Sequence, residues 1–169
     1  MATTEHPTQP PRLLHDKRGA EYEVREFRPE DREALDHFYL EFEPKRAAQG
    51  LPPKDADRIA RWLDSVLPQG THLLTFGDGK LVGHALLVPT GQDGVSEYAV
   101  FLHSEHRGRG LGTALNRAAI DAARAAGLTS LWLSVEPHNR AALRSYENAG
   151  FAMIPGTIFS TEAEMRLTL

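Results

Sequence analysis

Residues 95–113, VSEYAVFLHSEHRGRGLGT, constrain the fold more than any other part of this chain. Val95 to Leu102 is rich in β-branched and aromatic residues and holds one acid, Glu97, which reads as a strand buried on both faces. Arg107-Gly108-Arg109-Gly110-Leu111-Gly112 follows. From Leu111 the spacing turns helical, with Leu111, Leu115, Ala118, Ala119, Ala122 and Ala126 on one stripe. A helix that starts at a glycine-rich turn leaves its first N–H groups without partners and carries a partial positive charge there. Gly108, Gly110 and Gly112 have no Cβ and admit an anion close to those N–H groups, while Arg107 and Arg109 add charge. The stretch predicts a site for a phosphate-bearing ligand.

Two common phosphate loops do not fit. A P-loop ends in Gly-Lys-Ser/Thr, whereas this loop ends Gly-Leu-Gly-Thr. A dinucleotide fingerprint spaces its glycines G-x-G-x-x-G and places an acid about 20 residues on; here the spacing is G-x-G-x-G and no such acid follows. Composition excludes other classes. With 169 residues, 41% hydrophobic and 25% charged, the chain predicts one globular domain at 12–169 behind a flexible polar tail at 1–11. The absence of cysteine removes disulfides, thiolate nucleophiles and cysteine-ligated metals. A net charge of -4 argues against nucleic acid as a partner. No segment has the apolar run of a signal or a membrane span, so the expected location is the cytoplasm, away from any membrane.

Along the chain, strands are expected at 12–15 and 21–27 around a turn closed by Gly19. Pro29, Glu30 and Asp31 open a helix whose apolar face is Ala34, Leu35, Phe38 and Phe42. The prolines and Gly50 in 43–54 mark a loop. A second helix follows at about 55–67, with Ile59, Trp62, Leu63 and Val66 inward. A hairpin is predicted at 71–76 and 80–88. After the long helix, Gly127 is its C′ residue and 131–135 a strand. Asn139 caps a helix that ends at Gly150, and 151–154 and 159–167 are closing antiparallel strands. The sum is an α+β fold, a mixed sheet with helices on its faces.

Arg107-x-x-Gly110-x-Gly112 resembles the acetyl-CoA-binding loop of the GNAT superfamily of N-acetyltransferases, and the resemblance runs on through Phe151. The opening hairpin and Arg28-Pro29-Glu30-Asp31 are similar to the start of its Pat-like protein-lysine acetyltransferase branch. The resemblance implies a mostly antiparallel central sheet flanked by about four helices, with strands 95–102 and 131–135 splayed at the cofactor. It implies acetyl-CoA as cosubstrate. The pantetheine arm would bond the backbone of Val100, Phe101 and Leu102, and the diphosphate would meet N–H groups from Gly108 to Thr113, including Leu111. Arg107 and Arg109 lie nearby, either in contact or on the solvated surface. The family pattern Asn-x-x-Ala-x-x-x-Tyr stands here as Asn139, Ala142 and Tyr146. In similar enzymes the asparagine contacts the pantetheine arm and the tyrosine meets the sulfur.

Acetyl transfer from a thioester to an amine needs a neutral amine, a polarised carbonyl and a protonated leaving thiolate. Tyr146 is the candidate acid. Glu97, ten residues before Arg107 as in Pat-like sequences, and Glu136 are the candidate bases. A carboxylate inside a strand is expected to be partly desolvated, which favours proton uptake. Many family members place an acid where this chain has Ser134, and His138 and His84 are weaker options. No metal is expected, since none of the eight histidines shows ligand spacing. Glu41, Glu43, Asp55 and Asp57 flank the loop where the family builds acceptor sites, as an attraction for a cationic amine or as a solvated face. The partners implied are acetyl-CoA and a small-molecule or protein amine, with a homodimer left open. A CoA-binding regulatory module and an enzyme using another acyl-CoA, such as succinyl-CoA, are the alternatives.

Overall fold

The structure, a computed structural model, describes residues 9–46, 48 and 50–169; the tail expected at 1–11 lies outside them as far as residue 8. Strands β1 (Arg12–His15) and β2 (Glu21–Glu26) form the first hairpin. Its turn is held by Asp16, whose Oδ1 accepts the N–H groups of Arg18 at 2.8 Å and Ala20 at 3.0 Å. A single 3-10 turn, Pro29–Asp31, leads into α1 (Arg32–Glu41). Asp31 anchors that entry. It accepts the Arg28 N–H at 2.7 Å and a two-pronged bond from Arg25 at 2.8 and 2.7 Å. Helix α2 (Ala56–Val66) starts at Asp55, whose carboxylate accepts the Arg58 N–H at 2.9 Å as a capping side chain does.

Strands β3 (Thr71–Gly77), β4 (Lys80–Pro89) and β5 (Val95–Leu102) run antiparallel, and α3 (Leu111–Ala125) carries the chain over to β6 (Ser130–Val135). Helix α4 (Arg140–Ala149), β7 (Ala152–Met153) and β8 (Ala163–Thr168) complete the fold. The eight strands form one sheet in the order β1-β2-β3-β4-β5-β6-β8-β7. All neighbours are antiparallel except β5 and β6. That parallel pairing holds only for Val95↔Ser130, Ser96↔Leu131 and Glu97↔Trp132. Beyond Glu97 the two strands part, as the expected splay requires.

Two cores follow from the alternation of side chains across the sheet. One joins Leu111, Leu115 and Ala119 of α3 and Tyr146 of α4 to Tyr98, Leu131, Leu133 and Met165. The other joins Leu35, Phe38 and Tyr39 of α1 and Ile59 and Leu63 of α2 to Leu74, Leu86 and Phe101. Three expectations need correction. Ala34 is exposed, and Tyr39, fully buried, takes the inward position in α1, because four-residue spacing from Leu35 points it at the sheet. The last strand begins at Ala163 rather than 159, since residues 157–159 form a 3-10 turn that leaves Phe159 93% exposed. The strand expected at 151–154 shrinks to Ala152–Met153, and β8 inserts between it and β6.

A hydrogen-bonded chain crosses the second core. His72 Nε2 faces the carbonyl oxygens of Val66 at 3.0 Å and Gln69 at 2.8 Å, which only accept, so this nitrogen carries the proton. His72 Nδ1 then accepts from His84 Nε2 at 3.0 Å, and the Tyr39 hydroxyl donates to His84 Nδ1 at 2.6 Å. Every member is satisfied with both imidazoles neutral. Burial pushes His84 well below the usual imidazole range and His72 below it. The unfolded chain takes up these protons below about pH 6.5 while the folded chain does not, so stability is lost as pH falls through that value. Denaturant melts are expected to show unfolding free energy declining from pH 7 to pH 5. His72→Gln should flatten that decline without abolishing it, because His84 and His106 are also held down by burial. An unchanged slope in the variant would remove His72 as one of its sources.

Candidate active site

The loop after β5 makes one 3-10 turn (Ser104–His106) and reaches α3 through Gly108 and Gly110. Gly110 is the residue before the helix, with φ +82°, a left-handed conformation that an L side chain rarely adopts. No side chain caps this helix, and its first helical bond is Ala114 N–H to Gly110 O at 3.3 Å. Among the described residues the N–H groups of Leu111, Gly112 and Thr113 therefore have no hydrogen-bond partner. A Cβ at Gly112 would find nothing nearer than Ser145 Oγ, 3.7 Å away, so the protein itself leaves room for a side chain there. The missing Cβ instead keeps the approach to the helix start clear.

Neither loop arginine points outward from this start. Arg107 Nε donates to Leu102 O at 2.8 Å and its Nη2 to Glu43 O at 3.1 Å, while the guanidinium lies over the Phe42 ring at 5.2 Å. Partial burial lowers its pKa. It ties the 43–54 loop to the end of β5. The Arg109 carbonyl accepts the Lys17 N–H at 2.7 Å, and its guanidinium sits 3.9 Å from the buried carboxylate of Asp16. Both arginines thus have partners within the protein, Arg107 while still exposed and Arg109 while partly so.

At the split in the sheet, backbone alternation decides which groups face the gap. The His103 N–H donates to Val82 O at 2.8 Å, and the β4–β5 register continues without a shift. In an antiparallel pair every second residue bonds the same neighbour. Phe101 therefore spends its backbone groups on β4, which removes it from the expected gap-lining set, while Val100 and Leu102 face the β6 side. The Leu102 carbonyl there already accepts Arg107.

Tyr146 stands on the α3/α4 side of the split, 9% exposed, edge-on to Tyr98 at 6.2 Å and to Phe151 at 5.8 Å. Its hydroxyl has no hydrogen-bond partner among the described residues, and burial pushes its pKa up to about 12. The helix that carries it is set by Asn139, whose Oδ1 accepts the Ala142 N–H at 3.2 Å. It is fixed to α3 by a buried polar chain the sequence reading missed. Tyr98 OH donates to Asn116 Oδ1 at 2.6 Å, Asn116 Nδ2 donates to Ser145 Oγ at 2.9 Å, and Ser145 Oγ lies 3.2 Å from Thr113 Oγ1. The signal was present as a lone polar residue, Asn116, inside an apolar stripe.

Glu97, half-buried, occupies the last paired rung of β5. Alternation puts its side chain on the face of Ala99 and Phe101, opposite Tyr98 and Tyr146. Glu136, just past β6, pairs with His138 at 3.0 Å on the surface. His84 is fully buried in the chain described above and drops out as a base. Ser134 and Trp132 meet acids that local pattern did not single out, one just before β8 and one within it: Ser134 Oγ donates to Glu162 at 3.1 Å and Trp132 Nε1 to Glu164 at 3.1 Å. Glu41, Glu43, Asp55 and Asp57 are all exposed, Asp55 as the α2 cap. Among the described residues no group of three or more His, Asp or Glu could hold a metal, and no helix is long and apolar enough to cross a membrane.

A helix start with open amides, a sheet parted beside it and a partnerless phenol across the gap define a GNAT-type domain. The chain belongs to the Acetyltransferase (GNAT) family, whose profile it matches over residues 23–151. It is 31% identical over 105 residues to the L-methionine sulfoximine/L-methionine sulfone acetyltransferase of Pseudomonas paraeruginosa, a match covering 59% of this chain and 61% of that protein. It thus spans about three fifths of that relative's length, 61%. The fold superposes on the GNAT domain of S. lividans PAT with a TM-score of 0.79 at 18% identity, covering 94% of this chain and 97% of that one. It superposes on yncA of Salmonella typhimurium, solved with its cofactor acetyl-CoA, with a TM-score of 0.65 at 24% identity, covering 88% and 94%.

Loss of the Arg107 tie is testable without any ligand. Arg107→Ala removes two exposed hydrogen bonds to carbonyl groups and the contact with the Phe42 ring, and is expected to cost about 1 kcal/mol of stability. Tryptic cleavage after Lys45 and Arg46 should accelerate, and cleavage at the wild-type rate would mean that something else holds the 43–54 loop.

Proposed function

We propose that this chain transfers the acetyl group of acetyl-CoA to a primary amine by direct attack in a ternary complex. The observation that carries the reading is Tyr146, nearly buried, its hydroxyl without a partner among the described residues, packed against Tyr98 of the split strand, in a fold with an uncapped start to α3. The chain's groups fit such a donor. The N–H groups of Leu111, Gly112 and Thr113 can accept a diphosphate, together with the backbone of Gly108 to Gly110. Val100 and Leu102 present backbone groups along which a pantetheine arm can lie as an added strand. Asn139 contributes by setting the start of α4, and Ala142, half-buried, keeps that helix face low.

Acetyl-CoA supplies an acyl group already activated as a thioester. The amine nitrogen forms the new C–N bond and the C–S bond breaks. The Tyr146 phenol, kept protonated by burial at about 12, gives its proton to the departing sulfur. The amine reaches the gap from the α1/α2 face, where Glu97 stands at the last rung. Glu97 takes up the amine proton, with Glu136 as the rival base. A base matters most for a lysine side chain, of which only about one part in a few thousand is neutral at pH 7. The Pseudomonas relative, named as an L-methionine sulfoximine/L-methionine sulfone acetyltransferase, supports an amine acceptor and leaves its identity here among protein, amino-acid and other small-molecule amines.

Release of free CoA over a panel of amines, including a lysine peptide, a polyamine and methionine sulfoximine, tests the activity. Calorimetry with acetyl-CoA separates an enzyme from a binding module, and competition with succinyl-CoA tests the donor. Tyr146→Phe should keep acetyl-CoA affinity and cut turnover by about a hundredfold; full turnover would strip the phenol of its role. With the phenol near 12, turnover should show no alkaline loss from this group below about pH 10. Glu97→Gln should remove the acidic limb of the rate profile, and an unaltered profile would move the base to Glu136.

A further inference from the structure

The β1–β2 turn meets the glycine loop, although the two are far apart in sequence. Asp16 lies beneath the turn with its carboxylate buried, accepting Arg18 N–H, Ala20 N–H and, at 3.2 Å, the Tyr22 hydroxyl. These donors hold the Asp16 pKa down, so it is a carboxylate at neutral pH. The Tyr22 hydroxyl also contacts His106 Nδ1 at 2.9 Å, which links the turn to the 3-10 turn before the loop. Asp16 faces Arg109 at 3.9 Å and offsets its charge. The next residue, Lys17, donates its N–H to Arg109 O at 2.7 Å.

Its side chain then runs across the start of α3. A Cβ placed on Gly110 would stand 3.0 Å from Lys17 Cε, 3.1 Å from Cγ and 3.4 Å from Cδ. Gly110 is the residue that precedes the open N–H groups, and the ammonium sits one bond beyond Cε. Among the described residues that ammonium forms no ion pair or hydrogen bond, whereas Arg107 is bound to two carbonyls and Arg109 faces Asp16. An uncompensated cation held at the positive end of a helix raises the field there for an anion.

We infer that Lys17, rather than either loop arginine, is the side chain that contacts the diphosphate of the acyl donor. The inference rests on the acetyl-CoA reading above. It also gives Gly110 a second reason to be glycine, since a side chain there would displace the lysine stem as well as strain the turn.

Titration calorimetry with CoA and with 3′-dephospho-CoA tests it, at fixed low salt. Lys17→Gln should raise Kd by roughly five- to tenfold, the scale of a charge-assisted contact, and by the same factor for both ligands. Lys17→Arg should recover most of the affinity. Arg18→Gln is the control: its side chain is exposed on the same turn and should change Kd by less than about twofold. An unchanged Kd in Lys17→Gln overturns the assignment. So does an equal effect from Arg18→Gln, which would reduce the turn to a diffuse field. Loss of the effect with 3′-dephospho-CoA overturns it too, by moving the contact to the 3′-phosphate. If the wild-type chain itself ignores millimolar CoA, the donor reading has failed, and a different conclusion follows from that result alone.

Discussion

The structure turns on one interrupted ladder. β5 and β6 pair for three rungs and then separate, so Val100 and the Leu102 N–H carry backbone groups that no strand answers, while the Leu102 carbonyl accepts Arg107. Such groups are costly to bury unpaired and favour a partner of extended shape. The parallel direction of the two strands requires a long crossover, and α3 supplies it. Its start consequently stands beside the gap. The open helix-start amides and the open strand edge come from the same piece of topology.

The split also decides how chemistry is divided between the faces. Tyr98 and Tyr146 belong to the α3/α4 core, whereas Glu97, Ala99 and Phe101 look toward α1 and α2. In the proposed reaction, Tyr146 and Glu97 would therefore act from opposite faces of the sheet without meeting each other. Asn116 keeps the donor side rigid by joining β5, α3 and α4 through satisfied polar bonds. Buried networks of this kind reward full satisfaction and penalise loss of any member. On the other face Arg107 does similar work for the 43–54 loop, holding it through backbone carbonyls and the Phe42 ring.

Electrostatics at the helix start is a matter of which charges are already answered. A carboxylate, Asp16, lies buried close to the start of α3, an arrangement that would oppose the anion binding proposed there if it stood alone. Arg109 and three hydrogen bonds offset it, and the pair contributes little net field. What remains positive is the helix start and the lysine laid across Gly110.

Much of this was legible in the chain because the signals are local. The Asp55 and Asn139 caps, Gly127 and Gly150 at helix ends, the 71–89 hairpin and the 95–113 strand-loop-helix each depend on a few neighbouring residues, and all are present. The directions of Arg107 and Arg109 were not legible, since Glu43 and Asp16 are brought to them only by folding. Nor was the burial of His84, which needs Tyr39 from α1 and His72 from β3 to satisfy both ring nitrogens. Phe101 left the gap because its backbone belongs to β4, a matter of register. Sequence by itself determined the elements, the glycine-led start of α3 and the Asn139–Tyr146 spacing, because periodicity, capping and glycine geometry act over one or two turns. Tertiary structure alone decided which face each side chain serves and which cation remains unpaired, because those depend on contacts between residues far apart in the chain.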